Sequence, residues 1–312
     1  MIARGFSAAL QSIFSRGRIA RQSAPLLRQR LRLYARLARL DRPIGIFLLL
    51  WPTLWALWVA AGGIPSLHLI LVFTFGVLLT RSAGCVINDY ADRNFDRHVA
   101  RTRDRPLTTG QVTGLEAYYL LLAMLTAALL LVVTTNRLTI LLAFAAIPLG
   151  GCYPFMKRYT YLPQFFMGLA FGWGIPMAFA AQTGTVPPIA WLLFIANILY
   201  AMIYDTIYAM VDREYDMKIG IKSAAILFAD ADRHIIGIMQ AMLLAVLFLA
   251  GRKADLGVWY NSSLGIVMGL CVYHQSLIRK RLPEDCFRAF LHNNWIGAAV
   301  FAGIVIDYVL KY

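Results

Sequence analysis

Residues 67–87 read LHLILVFTFGVLLTRSAGCVI, with Arg81 the only side chain of fixed charge. A run of roughly 20 such residues matches the thickness of a bilayer's hydrocarbon core when it coils into a helix. Comparable runs recur at 43–61, 115–134, 138–155, 163–182, 188–209, 234–250, 257–278 and 289–310. Backbone amides in hydrocarbon must all be paired internally, which leaves helices or a closed barrel. The runs are continuous and lack the period-2 alternation of barrel strands, so the barrel is excluded. With 60% hydrophobic and only 15% charged residues, and a mean hydropathy of +0.63, the chain has too little polar surface for a soluble domain. The expected fold is therefore all-α: a polytopic membrane bundle of about nine transmembrane helices around a central cavity.

Nine crossings place the two termini on opposite sides. Of the 30 lysines and arginines, all but Arg137, Arg252, Lys253 and Lys311 fall on the face that carries the N-terminus. The positive-inside rule makes that face cytoplasmic, or its organellar equivalent. The net charge of +14 then reflects topology and attraction to anionic headgroups in the lipid bilayer, and no nucleic-acid partner is needed to explain it. Cys85, Cys152, Cys271 and Cys286 are scattered, without disulfide or metal-ligand spacing, and read as small buried residues.

Residues 1–33 form a basic arm ahead of a membrane domain at 34–312. The first 40 residues hold nine Arg, four Ser and no acid, a pattern shared with mitochondrial transit segments. Leu27, Leu31, Tyr34 and Ala38 also share one helical face, with Arg28, Arg32, Arg36 and Arg39 on another. That pattern suits an amphipathic helix lying at a membrane surface. Both readings stand: a surface arm of a bacterial inner-membrane protein, or import to the mitochondrial inner membrane.

Two acidic clusters break the oil. NDYADRNFD at 88–96 supplies Asn88, Asp89, Asp92 and Asp96, and YDTIYAMVDREYD at 204–216 supplies Asp205, Tyr208, Asp212 and Asp216. At 100° per residue, Asn88, Asp92 and Asp96 form one helical stripe; Asp205, Tyr208, Asp212 and Asp216 form another. Both follow even-numbered spans and so emerge on the same face. Like charges stacked a turn apart repel, and a charge within a span costs about 2.5–3.5 kcal/mol on insertion scales. Oxygen donors at that spacing favour a hard cation such as Mg²⁺. Arg97, Arg101, Arg103 and Arg105 follow the first cluster, and Lys218 and Lys222 the second. Carboxylate, metal and phosphate flanked by Arg and Lys is a common way to hold a diphosphate.

The patterns N-D-x-x-D-x-x-x-D at 88–96 and D-x-x-Y-A-x-x-D-x-x-x-D at 205–216 resemble those of the UbiA superfamily of intramembrane aromatic prenyltransferases. RPIGIFLLLWPTLWALW (42–58), AGCVINDYADR (83–93), YPFMKRYT (153–160), GWGIPMAFAA (172–181) and KIGIKSAAILF (218–228) resemble its branch that acts on 4-hydroxybenzoate for ubiquinone biosynthesis. The likeness runs from about residue 34 to the C-terminus. It implies Mg²⁺-dependent transfer from a polyprenyl diphosphate to 4-hydroxybenzoate. It further implies that Asn88, Asp92, Asp96, Asp212 and Asp216, with Asp89 beside them, bind metal and diphosphate. Asp205, Tyr153 and Tyr208 would flank the reaction centre, with Phe171, Trp173 and Tyr204 as further wall candidates. The candidate basic contacts to the substrates are Arg42, Arg81, Arg93, Arg101, Arg105, Lys157 and Lys222. Relatives that prenylate naphthoate, homogentisate or haem share similar motifs and remain alternatives. An ion-coupled secondary transporter is the non-enzymatic rival, but it predicts acids near midplane on broken helices and an internal repeat.

Overall fold

The computed structural model describes residues 28–96 and 102–311, and among them every regular element is helical. Arg101 and the first 27 residues, Leu27 included, lie outside the described residues. A surface helix α1 (residues 28–37) precedes α2 (Ile44–Ala61), α3 (Leu67–Asp96), α4 (Gly114–Val132) and α5 (Arg137–Met156). The fifth span is two helices, α6 (Pro163–Gly172) and α7 (Gly174–Thr183). Next come α8 (Pro188–Ile219), the short α9 (Ala224–Phe228), α10 (Asp232–Lys253) and α11 (Val258–Leu277). The last span is again divided, into α12 (Pro283–His292) and α13 (Asn294–Lys311).

Among the described residues, eight segments are long and apolar enough to cross a membrane. The remaining expected span is α11, which carries Asn261, Ser262, Ser263, His274, Gln275 and Ser276 and packs between α10 and α13. Local chemistry fixes the ends. The Thr113 hydroxyl accepts from Glu116 N–H while the Glu116 carboxylate accepts from Thr113 N–H, a reciprocal cap on α4. Asn136 caps α5 by accepting from Thr139 N–H. Pro163, Pro188 and Pro283 stand at first-turn positions, where a missing N–H costs nothing.

Burial separates centre from rim. In α8, 67% of the membrane window is enclosed by protein, against 11% in α4 and α5. The outer helices accordingly present Leu122, Leu125, Leu129, Leu130, Leu141, Phe144 and Ile147 outward, an apolar belt suited to lipid. Trp55, Tyr200 and Tyr260 are fully enclosed and still satisfied. Trp55 Nε1–H donates to Gly297 C=O at 2.9 Å, Tyr200 O–H to Asn293 C=O at 2.8 Å and Tyr260 O–H to Leu247 C=O at 2.8 Å. The Tyr200 bond satisfies a carbonyl at the α12–α13 break, and Asn197 Nδ2–H donates to Gly168 C=O beside the α6–α7 break. Interruptions at membrane depth require such partners.

Three expectations change in detail. α3 and α8 run about ten residues further than their apolar stretches, roughly 15 Å of extra helix, so both acidic clusters ride on helical extensions. The Leu31 stripe turns inward only in its second half: Leu31 is exposed, Tyr34 is half-buried and Ala38 is buried, with Leu33 and Leu37 from off the stripe packed beside them. Leu37, Leu33 and Tyr34 pack against Val86, Leu107, Val112 and Ala117. Tyr34 O–H also donates to Glu116 Oε1 at 2.9 Å, a bond that raises the phenol's pKa above its ordinary value. Among the cysteines, Cys152 is exposed on α5, facing outward, whereas Cys85, Cys271 and Cys286 are buried.

Candidate active site

On the extension of α3, Asp92 is buried beside Lys157, whose ammonium lies 2.5 Å from Asp92 Oδ2. Arg158 stands 4.0 Å from the other oxygen, Oδ1, which is enclosed and accepts no hydrogen bond among the described residues. Asn88, half-buried, lies one turn earlier on the same stripe. Asp96 ends α3; its side chain falls outside the described residues.

Asp89 points elsewhere. A rotation of 100° takes it off the stripe, and its buried carboxylate accepts from Arg39 at 3.1 and 3.3 Å and pairs with Arg105 at 2.9 Å. In this arrangement the Asp89 carboxylate and the Arg105 guanidinium are directed to one another. Each is engaged with the other, and together with Arg39 they fasten α1 and the loop after α3 to the bundle. Arg93 is exposed with its guanidinium 4.5 Å from the centre of the Tyr90 ring, and Arg42 is exposed at the N-terminal end of α2.

One face of α8 supplies the second cluster. Asp205, Asp212 and Asp216 follow one another along it, with Asp212 in electrostatic reach of Asp205. The intervening Arg213 turns away and binds Asp232. Gly220 ends the helix at φ +73° and donates to Asp216 C=O. That left-handed conformation costs glycine little, and it sends residues 220–224 back over the site. There Lys222 N–H donates to Lys157 C=O at 3.0 Å, and the Lys222 ammonium donates to Tyr159 C=O at 3.2 Å. A backbone bond therefore links the residue that neutralises Asp92 to the loop that follows Asp216.

Deeper in the bundle, Arg81, Tyr153, Tyr204 and Asp205 form one electrostatic group, and Tyr153 also senses Asp92. The two acidic helices thus converge. Arg81, Tyr153 and Asp205 are each partly buried within the bundle. Arg81 Nη1 approaches Cys85 Sγ at 2.6 Å, and its guanidinium lies 5.6 Å from the centre of the Phe171 ring. Gly45 makes room for it: a Cβ there would fall 2.7 Å from the guanidinium.

Aromatic rings line this region. Tyr153 meets Phe171 edge-on at 5.4 Å, Tyr204 lies 5.1 Å from Tyr200, and Tyr208 packs on Phe290 at 4.7 Å and Phe287 at 6.4 Å. Trp173 has a packing role instead: at the α6–α7 break it donates to Leu142 C=O and contacts Phe194. Sequence reading missed Gly45, Gln164, Phe287 and Phe290. Only Gln164, a polar residue just inside an apolar span, left a visible signal.

Among the described residues no three acids, histidines or cysteines converge as a ready-made metal cage. The carboxylates instead come from two helices, Asp92 on α3 and Asp205 on α8 both acting on Tyr153. A divalent ion there would complete its coordination with oxygens of its ligand, as Mg²⁺ commonly does with phosphates. The enclosed Asp92 Oδ1 without a hydrogen bond is a suitable hard donor, so the residues present fit the ion.

A helical membrane bundle whose two acidic helix ends approach a buried arginine and tyrosine suits an intramembrane enzyme that handles a polyanionic substrate. The model of the UbiA prenyltransferase family matches residues 49–297, and the chain belongs to that family. It is 56% identical to the 4-hydroxybenzoate octaprenyltransferase of Ectopseudomonas mendocina (strain ymp), covering 93% of this chain and 98% of that one. It is 54% identical to the 4-hydroxybenzoate octaprenyltransferase of Hahella chejuensis, covering 95% and 99%. Among solved structures, an apo UbiA homolog from Aeropyrum pernix K1 superposes with a TM-score of 0.75 at 22% identity, covering 84% and 97%. A homolog from Archaeoglobus fulgidus bound to GPP and Mg²⁺ does so with a TM-score of 0.68 at 18% identity, covering 87% and 99%.

Proposed function

We infer that this integral membrane protein transfers a polyprenyl group from polyprenyl diphosphate to 4-hydroxybenzoate, giving 3-polyprenyl-4-hydroxybenzoate, a step of ubiquinone biosynthesis. The observation that carries the reading is that Asp92 on α3 and Asp205 on α8, with Asp212 beyond it, come within electrostatic reach of the same Tyr153, beside Arg81. The curated names of relatives more than half identical over nearly their full length support it. The bacterial sources of those relatives support a bacterial inner membrane, and the basic bias of the face with the acidic ends supports a cytoplasmic orientation for it.

Asn88, Asp92, Asp96, Asp212 and Asp216 would hold Mg²⁺, which when bound neutralises the diphosphate and stabilises it as a leaving group. Lys157 and Lys222, already beside the acids, add fixed positive charge for the departing oxygens. The allylic C–O bond breaks with its electron pair leaving on the diphosphate, and the prenyl carbon becomes cationic. Tyr153, Phe171, Tyr204 and Tyr208 face that charge with π clouds, worth about 2 kcal/mol when desolvated. The enclosing bundle keeps out water that would quench the cation. Arg81 holds the acceptor's carboxylate and so aims the ring carbon ortho to the hydroxyl at the cation. A carbon–carbon bond forms there, and the ring proton leaves to restore aromaticity. Asp205 and Tyr153 flank the reacting atoms.

Purified protein in lipid should transfer radiolabelled prenyl to 4-hydroxybenzoate in preference to dihydroxynaphthoate, homogentisate or haem; preference for one of these would overturn the acceptor assignment. Arg81→Lys should raise KM for 4-hydroxybenzoate about 100-fold, since a bidentate contact is lost, and leave KM for the diphosphate within about 2-fold. Gly45→Ala, which crowds the guanidinium without removing it, should shift the same parameter about 10-fold. Equal changes in both KM values would remove Arg81 from the acceptor site.

A further inference from the structure

We propose that a groove between α10 and α11 binds a membrane phospholipid with an anionic headgroup. The groove has a volume of about 500 Å³ and is lined by Arg233, His234, Gly237, Ile238 and Ala241 of α10 and by Gln275 of α11. It opens on the outside of the bundle, where His234, Ile238 and Ala241 are exposed and Arg233 partly so.

Helix geometry gives the groove a polar end and an oily one. Arg233, Gly237 and Ala241 stand four residues apart and form one stripe along α10, with His234 and Ile238 beside it. Because α10 begins at Asp232, Arg233 and His234 sit at the end of the span, at the level of lipid headgroups. Ala241 lies about 12 Å further along the axis, against a hydrocarbon layer of about 15 Å in one leaflet. A guanidinium and an imidazole thus stand at the interface, and small and apolar side chains continue inward for most of a leaflet's depth. Gly237 keeps the furrow open. A Cβ there would already touch Gln275 Nε2 at 3.5 Å, and a larger side chain would occupy the space.

Charge selects the lipid. The carboxylate next to Arg233 in the chain, Asp232, is taken by Arg213 and Arg281. Among the described residues no carboxylate pairs with the Arg233 guanidinium, and its enclosed Nε–H has no hydrogen-bond partner. Arg279 and Lys280, exposed in the turn that follows α11, add charge of the same sign. Gln275 fixes the wall between the helices: its Nε2 donates to Arg233 C=O at 3.2 Å and to Gln240 Oε1 at 3.0 Å. A phosphodiester offers a guanidinium two anionic oxygens in fork geometry. A zwitterionic headgroup brings its own cation and cancels part of that attraction, so an anionic one is preferred.

Native mass spectrometry of the full chain, released from detergent with equimolar phosphatidylglycerol and phosphatidylcholine, tests the assignment. The wild type should retain phosphatidylglycerol over phosphatidylcholine by about 5-fold, the weight of one basic residue at a membrane surface. Arg233→Gln should bring that ratio to within about 2-fold. Gly237→Leu keeps every charge but fills the furrow, and should lower phosphatidylglycerol retention about 5-fold through lost acyl contact. Arg252→Gln, which removes the same charge from the far end of α10, should leave the ratio unchanged. A photoactivatable phosphatidylglycerol should label peptides of α10 and α11, and excess inorganic phosphate should not displace it. Melting temperatures in detergent correct each variant for folded fraction. Equal retention of both lipids by the wild type, wild-type retention in Arg233→Gln or Gly237→Leu, or an equal fall in Arg233→Gln and Arg252→Gln would each overturn the proposal. Labelling confined to other helices would do the same, and displacement by phosphate would make the groove a free-anion site instead.

Discussion

Asp92→Ala should lower kcat/KM for prenyl transfer by about 1,000-fold or more, with the protein still inserted and folded, and Asp212→Ala should do the same. The size follows from what each variant removes. A carboxylate that binds both an ion and a polyanion acts in an enclosed site, where losing one preorganised charged contact typically costs about 10²–10³ in rate. Here the same substitution also weakens retention of the ion. Asp92→Ala further leaves Lys157 without its carboxylate at 2.5 Å, but that residue is half-buried at the edge of the bundle and can reach water. Folding should therefore survive. The measurement is transfer across a Mg²⁺ titration, with size-exclusion profiles of the purified variants. Wild-type activity of both at limiting Mg²⁺ would remove the acidic helix ends from the chemistry.

Asp232→Ala should instead destabilise the protein by about 3 kcal/mol. The Asp232 carboxylate has no exposed surface. It accepts from Arg281 at 2.9 and 3.1 Å, binds Arg213, and its Oδ1 also accepts from Arg233 N–H at 2.6 Å. Removing it leaves two partly buried guanidinium groups without their counter-ion, the situation in which breaking a buried pair is most costly. Those groups tie the end of α8 and the α11–α12 turn to the start of α10, so the second acidic cluster loosens with them. The expected readout is a fall of several degrees in the detergent melting temperature and partial loss of activity, with Asp232→Asn milder. A melting temperature within one degree of wild type would show that the three elements are held by other contacts.

The contrast between Asp92 and Asp232 also shows what the sequence could reveal. Apolar run length made the spans legible, and 100° periodicity separated Asn88, Asp92 and Asp96 from their neighbours. The same geometry places Asp89 off that stripe, where the structure pairs it with Arg39 and Arg105. Its grouping with the metal ligands followed motif adjacency rather than helix geometry. The break at Trp173 was invisible because the apolar run continues through it, whereas the one at Asn293 coincides with the polar triplet His292, Asn293 and Asn294 inside the expected span. Asp232 carried no sequence signal, since its partners at 213 and 281 are distant along the chain.

The most direct test is a structure of the protein with a non-hydrolysable prenyl thiodiphosphate and Mn²⁺ in place of Mg²⁺, the ions located by anomalous scattering. Metal peaks bridging the diphosphate to Asp92 on α3 and to Asp212 on α8 are the predicted result, with the prenyl chain entering the bundle beside Arg81 and Tyr153. A diphosphate bound with its metal away from either helix end would contradict it.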